Sequence, residues 1–156
     1  MQLQTLREII FSMQLSVTRI DASLPLPKYE TAGAVAFDLS ARVDVAIAPK
    51  SLGYIPTNLV VRVPEGHVLL LASRSSGPKK KGLMIPHGVG IIDQDYCGPT
   101  DELIAQVYNF TDAPVTVARG ERVAQAMVTP VVKCELKEVE LATTATSRGG
   151  FGSTGQ

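Results

Sequence analysis

Gly90-Ile91-Ile92-Asp93-Gln94-Asp95-Tyr96-Cys97-Gly98 is the stretch on which the interpretation of the fold depends. A glycine stands at each end, and glycine is the residue that lets the backbone bend sharply. If the segment is extended, Asp93 and Asp95 point to one side and Gln94 points to the other. The pattern therefore predicts a tight hairpin that presents two carboxylates and the ring of Tyr96 at a cleft. Taken alone, it favours an ordinary polar turn, and it gains weight only from the other motifs.

The composition is that of a single globular domain. The chain has 156 residues, of which 45% are hydrophobic and 19% are charged, enough for one domain with a real core. Thirteen glycines and ten prolines interrupt the chain too often for long helices. Fifteen basic and fifteen acidic residues cancel, so no net field would attract a nucleic-acid polymer.

Cysteine usage and hydropathy predict a cytoplasmic protein without a membrane partner. No apolar run approaches the length of a membrane span. Cys97 and Cys134 lie far apart in the sequence, which favours free thiols in a reducing compartment over a disulfide or a metal pair. Residues 1–12 lack a signal-peptide cleavage site and are expected to form a leader of uncertain structure. We expect residues 13–141 to form the domain and residues 142–156 to form a flexible, glycine-rich arm.

Alternation of apolar and polar residues predicts a series of short strands. The predicted strands lie near residues 15–21, 43–47, 59–63, 67–72, 103–110, 114–117 and 128–133, with a last one at 139–141. Many short strands with frequent turns are typical of an all-β barrel or of a double-sheet jelly roll.

Two further segments carry polar groups in places that invite a ligand. Ser73-Arg74-Ser75-Ser76-Gly77 follows a predicted strand, and its hydroxyls, guanidinium and backbone amides could cradle an anion or simply form a polar turn. The lysines at 79–81 that follow are interpreted, at least in part, as a solvated loop. Asp38 is a lone charge in a small, apolar segment, and a buried carboxylate must be paired or hydrogen-bonded.

The order of these segments resembles the five motifs of the trimeric dUTP diphosphatases (dUTPases). The matching segments are residues 32–41, 73–77, 90–98, 120–125 and 148–155, and the resemblance spans roughly residues 17–155. It implies an all-β, jelly-roll-like distorted barrel that assembles as a homotrimer with three active sites at subunit interfaces. It also implies hydrolysis of dUTP to dUMP and pyrophosphate with Mg²⁺ as cofactor.

The resemblance also assigns roles to individual residues. Asp93 corresponds to the catalytic carboxylate that activates the attacking water, Tyr96 to the ring beneath the deoxyribose, and Asp38 to the carboxylate that meets Mg²⁺ through water. The other substrate-binding positions implied are Arg74, Ser75, Ser76 and Gln125 for phosphates, Gly90 and Ile92 for uracil through the backbone, and Arg148, Phe151, Ser153 and Thr154 in the arm.

Some positions depart from the family pattern, and two other functions share the fold. His87 stands where the family often has asparagine, and residues 99–102 lengthen the connection after the hairpin without a role that we can assign. The related dCTP deaminases have a similar Ser-Arg-Ser-Ser stretch but need a catalytic glutamate, and Glu102 and Glu121 lie in other motif contexts. A non-catalytic, nucleotide-binding trimer is the remaining alternative, since fold alone does not decide function.

Overall fold

A computed structural model describes residues 13–140 together with residues 146 and 149. The predicted leader and most of the predicted arm, including Arg148, Phe151, Ser153 and Thr154, lie outside the described residues. Within the described part, the elements in chain order are β1 Ser16–Arg19, β2 Phe37–Ser40, β3 Val45–Ile47, β4 Leu52–Pro56, β5 Leu59–Arg62, β6 His67–Ser73, α1 Gly77–Lys81, β7 Leu83–Met84, β8 Val89–Ile92, β9 Ile104–Asn109, β10 Val115–Val117 and β11 Arg122–Pro130.

The strands form four small antiparallel sheets. The largest has the order β2-β11-β6-β8, and the others are β4-β9-β7, β1-β5 and β3-β10. Neighbours in these sheets are mostly distant in the sequence, as expected for a jelly-roll-like barrel. The prediction of an all-β, jelly-roll-like fold is thus confirmed.

A single hydrophobic core lies between the sheets. Its fully buried members include Leu39, Ile55, Leu69 and Val117, which come from four different strands, and Leu103, which directly precedes β9. Along β9 the buried residues alternate with more exposed ones, because successive side chains of a strand point to opposite faces. The alternation that predicted the strands therefore also identifies the face that fills the core.

The end of the strand region differs from the prediction. The last long strand, β11, begins at Arg122 and ends at Pro130, earlier than the predicted strand at residues 128–133. Proline has no N–H to donate to a sheet ladder, which explains why the strand ends there. The strand predicted at residues 139–141 is wrong for its described part, since residues 131–140 are exposed and form no element.

The lysine run is more ordered than a loop. Pro78 stands in the first turn of α1, where a missing N–H costs nothing, and Gly82 ends the helix with a left-handed backbone, φ = 65°. Lys79 and Lys80 are exposed, as expected for a solvated segment. Lys81 instead forms an ion pair of 2.8 Å with Glu121.

Candidate active site

The first group of predicted site residues surrounds Asp38 on β2. The Arg74 Nε donates a 2.7 Å hydrogen bond to Asp38 Oδ1, and the Arg122 Nη1 donates one of 3.0 Å to Asp38 Oδ2. The Asp38 side chain is only 17% exposed, so both positive charges lie close to a largely buried carboxylate. Glu30 adds a looser ion pair to Arg122, at 3.4 Å. The sequence predicted that the Asp38 carboxylate needs partners, and the structure shows that these are Arg74 and Arg122.

Sheet geometry explains how distant parts of the sequence meet at Asp38. Gln125 of β11 lies opposite Asp38 of β2 on one side and opposite Ala72 of β6 on the other. Arg74 is the first residue after β6, so it lies two residues beyond Ala72, which is at the level of Asp38 in the sheet. The register of β11 shifts between Arg122 and Ala124, and such bulges re-aim side chains.

Arg122 is the member of this group that sequence reasoning missed. It lies within the segment at residues 120–125 that carried the family resemblance, yet no role was assigned to it. The available signal was a second arginine close to Gln125, but only the register of β11 against β2 shows that it reaches Asp38.

The remaining phosphate-binding candidates of this group lie close by. The Gln125 Nε2 donates a 2.9 Å hydrogen bond to the Ser73 backbone carbonyl, so this side chain lies beside the strand that leads to Arg74. Ser75 is exposed and Ser76 is half-buried immediately before α1. An open cleft of about 490 Å³ borders Asp38 and Arg122. Charge and open space thus coincide at Asp38 and Arg122, while Arg74, Ser75, Ser76 and Gln125 do not line this cleft.

The second group lies around the Asp93–Tyr96 turn. Tyr96 N donates a 3.3 Å hydrogen bond to Asp93 O, and the Gln94 Nε2 is held at 2.9 Å by the carbonyl of His67. The segment is therefore a turn at the end of β8, but not the predicted hairpin, because β8 pairs with β6 while β9 pairs with β4 and β7. Asp93, Asp95 and Tyr96 are exposed and Gln94 is half-buried, which agrees with the two carboxylates lying on one side and Gln94 on the other.

Gly90 and Ile92 lie on β8, which is an edge strand. In the described residues β8 pairs only with β6, so the backbone groups along its other side have no partner in the sheet. The unpaired N–H and C=O groups of such an edge can form hydrogen bonds with a flat ring that carries both donors and acceptors. A cavity of about 350 Å³ lies against it and is lined partly by His87, Gly90 and Ile92. These contacts are compatible with recognition of a base through the backbone.

The two groups are on opposite edges of the four-stranded sheet. Asp38 lies on β2 and Asp93 follows β8, with β11 and β6 between them. Three strand spacings separate the two edges by about 14 Å, and the register places Asp93 four residues beyond the level of Asp38, about 13 Å along the strands. One chain therefore does not bring Asp93 to the Asp38 group.

Comparison with known proteins agrees with this arrangement of motifs. The family model described as dUTPase matches residues 22–155. The chain belongs to the dUTPase family. A deoxyuridine 5′-triphosphate nucleotidohydrolase of Anaeromyxobacter sp. (strain Fw109-5) is 43% identical over 140 residues, which are 85% of this chain and 89% of the relative. Another, of Lactococcus lactis subsp. lactis, is 38% identical over 138 residues, 86% of this chain and 91% of the relative.

Solved structures of the family have the same fold. The dUTPase of Streptococcus mutans has a TM-score of 0.72 and 35% identity, covering 79% of this chain and 99% of that chain. The dUTPase of Staphylococcus bacteriophage 80alpha in complex with dUPNHPP has a TM-score of 0.80 and 27% identity, covering 92% of this chain and 99% of that chain. Within residues 13–140 the only helix is α1, and it is too short to cross a bilayer.

Proposed function

We propose that this dUTPase-family chain hydrolyses dUTP to dUMP and pyrophosphate in a homotrimer, at sites to which different subunits contribute. The observation that carries the proposal is the separation of Asp93 from the Asp38 group by two strands. A base that activates water must lie within hydrogen-bond reach of that water, and the water must be about 3–3.5 Å from phosphorus. Both requirements can be met only if Asp93 of one subunit faces the arginines of another.

Asp93 acts as the general base in this reaction. Among the described residues its carboxylate has no hydrogen-bond or ion-pair partner, and the residue is exposed at the start of the turn. It takes a proton from water as the water oxygen attacks phosphorus. The α–β phosphoanhydride bond then breaks, and the electron pair leaves with pyrophosphate. Charge on the phosphates is neutralised largely by positioned cations, so the protein needs little covalent chemistry.

The substrate is held by both groups of residues. Arg74, Ser75, Ser76 and Gln125 bind phosphates, while the open edge of β8 at Gly90 and Ile92 reads uracil through backbone groups. Tyr96 packs under the deoxyribose and leaves no room for a 2′-hydroxyl. The arm completes the site through Arg148, Phe151, Ser153 and Thr154, which remain predictions because they lie outside the described residues.

Mg²⁺ is the proposed cofactor, and the residues present fit it in one particular way. Within the described part of the chain, no group of three or more His, Cys, Asp or Glu is placed to hold a metal ion directly. Mg²⁺ commonly keeps several waters and binds through substrate phosphates with one or two carboxylates. Asp38 suits this role, because a carboxylate that accepts from two arginines still has acceptor sites for metal-bound water. When bound, the ion neutralises phosphate charge. A phage phi11 dUTPase is described with a structural Mg(II) ion.

Exposed apolar residues support the assembly. Ile91 is 68% exposed on β8, and Val132, Leu136 and Val139 are 75–95% exposed in the segment after β11. A contiguous exposed apolar surface marks a protein contact, and the proposed trimer would cover these side chains. Free thiols at Cys97 and Cys134 are consistent with the proposed cytoplasmic location.

Subunit mixing tests the shared site. Asp93→Asn and Arg74→Ala should each be nearly inactive as pure proteins. If Asp93 and Arg74 of one site come from different chains, an equal random mixture places both intact groups in about a quarter of the sites, by counting over a closed trimer. If one chain supplies both, no site is ever complete. No recovery of dUTP hydrolysis despite demonstrated subunit exchange would refute the shared site.

A product assay tests the reaction itself. Incubation with dUTP, UTP and dCTP in the presence of Mg²⁺ should release pyrophosphate from dUTP alone and should yield no ammonia. Ammonia from dCTP would instead show a deaminase, and binding without any product would show a non-catalytic module.

A further inference from the structure

Residues 99–102, which have no family role in the sequence analysis, connect the Asp93–Tyr96 turn to β9. The segment begins in a compact turn in which Gly98 N donates a 2.7 Å hydrogen bond to Asp101 Oδ2 and Asp101 N donates one of 3.1 Å to Gly98 O. It ends at Glu102, which is 8% exposed and is the only buried acidic residue among the described residues. A carboxylate that is buried beside an exposed turn must have partners that compensate its charge.

The Glu102 carboxylate is fully engaged. Arg42 donates to it through two nitrogens, Nε and Nη2, each at 2.9 Å, and Asn58 N donates to Glu102 Oε1 at 2.7 Å. Two hydrogen bonds from one guanidinium fix the orientation of the Glu102 carboxylate as well as its distance from Arg42. The carboxylate raises the pKa of Arg42 above its usual value, chiefly through this hydrogen-bonded contact. Glu102 is thus held firmly between two parts of the barrel.

The groups that hold Glu102 are themselves fixed. Asn58 has a left-handed backbone with φ = 73°, and its side chain exchanges hydrogen bonds with the backbone of Asp21 at 2.6 and 3.0 Å. Thr57 donates to Leu103 O through both its backbone N and its hydroxyl, at 3.0 and 2.7 Å. The backbone around Glu102 is therefore tied on both sides of the residue.

This fixed backbone in turn holds Tyr96. The Tyr96 hydroxyl donates a 3.1 Å hydrogen bond to the Glu102 backbone carbonyl, while the residue remains 39% exposed. The far end of the ring is tethered and part of the ring is still open to a ligand. A ring anchored in this way keeps its position when a bulkier sugar presses on it, whereas an untethered ring can move.

We propose that Arg42 and Glu102 are positioning residues for sugar selection: they fix the carbonyl that tethers Tyr96, and so hold the ring where it excludes a 2′-hydroxyl. This inference rests on the proposed packing of Tyr96 against deoxyribose. The residues touch neither substrate nor reacting atoms, and they act only through Tyr96. Rejection of UTP should therefore depend on a buried ion pair behind the site.

A double-mutant cycle on the preference for dUTP tests the inference. The measured quantity is kcat/KM for dUTP divided by kcat/KM for UTP, for the wild-type protein, Tyr96→Phe, Arg42→Gln and the double variant. Tyr96→Phe keeps the ring and removes the tether, and Arg42→Gln removes the charge that holds Glu102. We expect each single change to lower the ratio about 3- to 10-fold, the worth of one hydrogen bond. Because both act on one tether, the double variant should lower it no further.

Matched variants separate positioning from general loss of stability. Lys50→Gln removes the cation of a separate ion pair, 3.2 Å from Asp112 and beyond the other end of β9, and it should leave the ratio unchanged. Arg42→Lys keeps the charge and should recover part of the ratio. If Arg42→Gln does not fold, Glu102→Gln serves instead, since its amide oxygen can still accept from Asn58 N while the charge is lost.

The outcomes distinguish this inference from the proposed function. An unchanged ratio in Arg42→Gln or Glu102→Gln, with a lowered ratio in Tyr96→Ala, overturns the inference and leaves the role of Tyr96 standing. Effects of Arg42→Gln and Tyr96→Phe that multiply in the double variant also overturn it, because the two would then act independently. An unchanged ratio in Tyr96→Ala overturns the sugar-packing role itself.

Discussion

Asp38 and Asp93 are carboxylates of two motifs that carry the family resemblance, and the fold treats them in opposite ways. Asp38 is 17% exposed and accepts hydrogen bonds from Arg74 and Arg122. Asp93 is exposed, and its carboxylate has no partner among the described residues. A carboxylate held by two cations is suited to fixing a geometry. A carboxylate without a partner, at the start of an exposed turn, is suited to taking a proton from water.

The strongest test of this contrast is Asp93→Asn. The amide keeps the size of the side chain but cannot act as a base, so turnover of dUTP should fall by on the order of 10²-fold or more. Because the carboxylate makes no described contact, the melting temperature should stay unchanged. Steady-state kinetics and thermal unfolding measure both quantities.

Asp112→Asn is the control for this substitution, since Asp112 is also exposed but lies in the loop between β9 and β10. It should retain wild-type turnover. Near-normal turnover in Asp93→Asn would remove Asp93 from the role of base.

Asp38→Asn should show the opposite profile. Removing the charge leaves Arg74 and Arg122 without their shared counter-ion, so the free energy of unfolding should fall by about 1–2 kcal/mol. The amide is also a poorer acceptor for metal-bound water, so the Mg²⁺ concentration giving half-maximal activity should rise about 10-fold, as expected for an outer contact to the ion. Denaturant unfolding and a Mg²⁺ titration at saturating dUTP measure the two effects. An unchanged Mg²⁺ titration would limit Asp38 to a structural role.

The sequence was sufficient to predict the class of fold and the family, while the roles of the motif residues stay predictions. Alternation predicted β6 and β9 closely, because both strands bury one face against the core. The end of β11 at Pro130 was missed because valines continue after it, and only the lack of a partner strand shows that they stay exposed.

Contacts between motifs could not be predicted in the same way. The separation of Asp93 from Asp38 depends on the strand order β2-β11-β6-β8, which no local pattern encodes. Arg42 and Glu102 are 60 positions apart, and nothing in the sequence around either residue distinguishes it from an ordinary charged surface residue. The bend at Asp93–Tyr96 was predicted as a hairpin, but its two flanking strands, β8 and β9, pair in different sheets, and no local pattern encodes that either.

A third carboxylate, Asp21, separates the effect of an arginine partner from catalysis. Its carboxylate accepts hydrogen bonds from Arg119 at 2.7 Å and from the hydroxyl and the backbone N–H of Ser23. These hydrogen bonds, the one from Arg119 most of all, lower the pKa of Asp21 far below its usual range. A carboxylate with a depressed pKa in the folded state adds stability above its unfolded pKa. That contribution is lost as the pH falls below about 4. Both side chains are partly exposed, so we expect a small effect that salt weakens further.

We therefore expect the free energy of unfolding of the wild-type protein to fall more steeply between about pH 4 and pH 2 than that of Asp21→Asn, with both at low salt. Urea unfolding at several pH values measures the two slopes. Arg119→Gln removes the main cause of the pKa shift and should flatten the slope in the same direction. Neither change should alter turnover of dUTP, since Asp21 and Arg119 belong to neither site group. Parallel slopes for the wild type and Asp21→Asn would show that pairing with a surface arginine adds nothing measurable here. The stability loss expected for Asp38→Asn would then have to come from the burial of Asp38 and not from ion pairing alone.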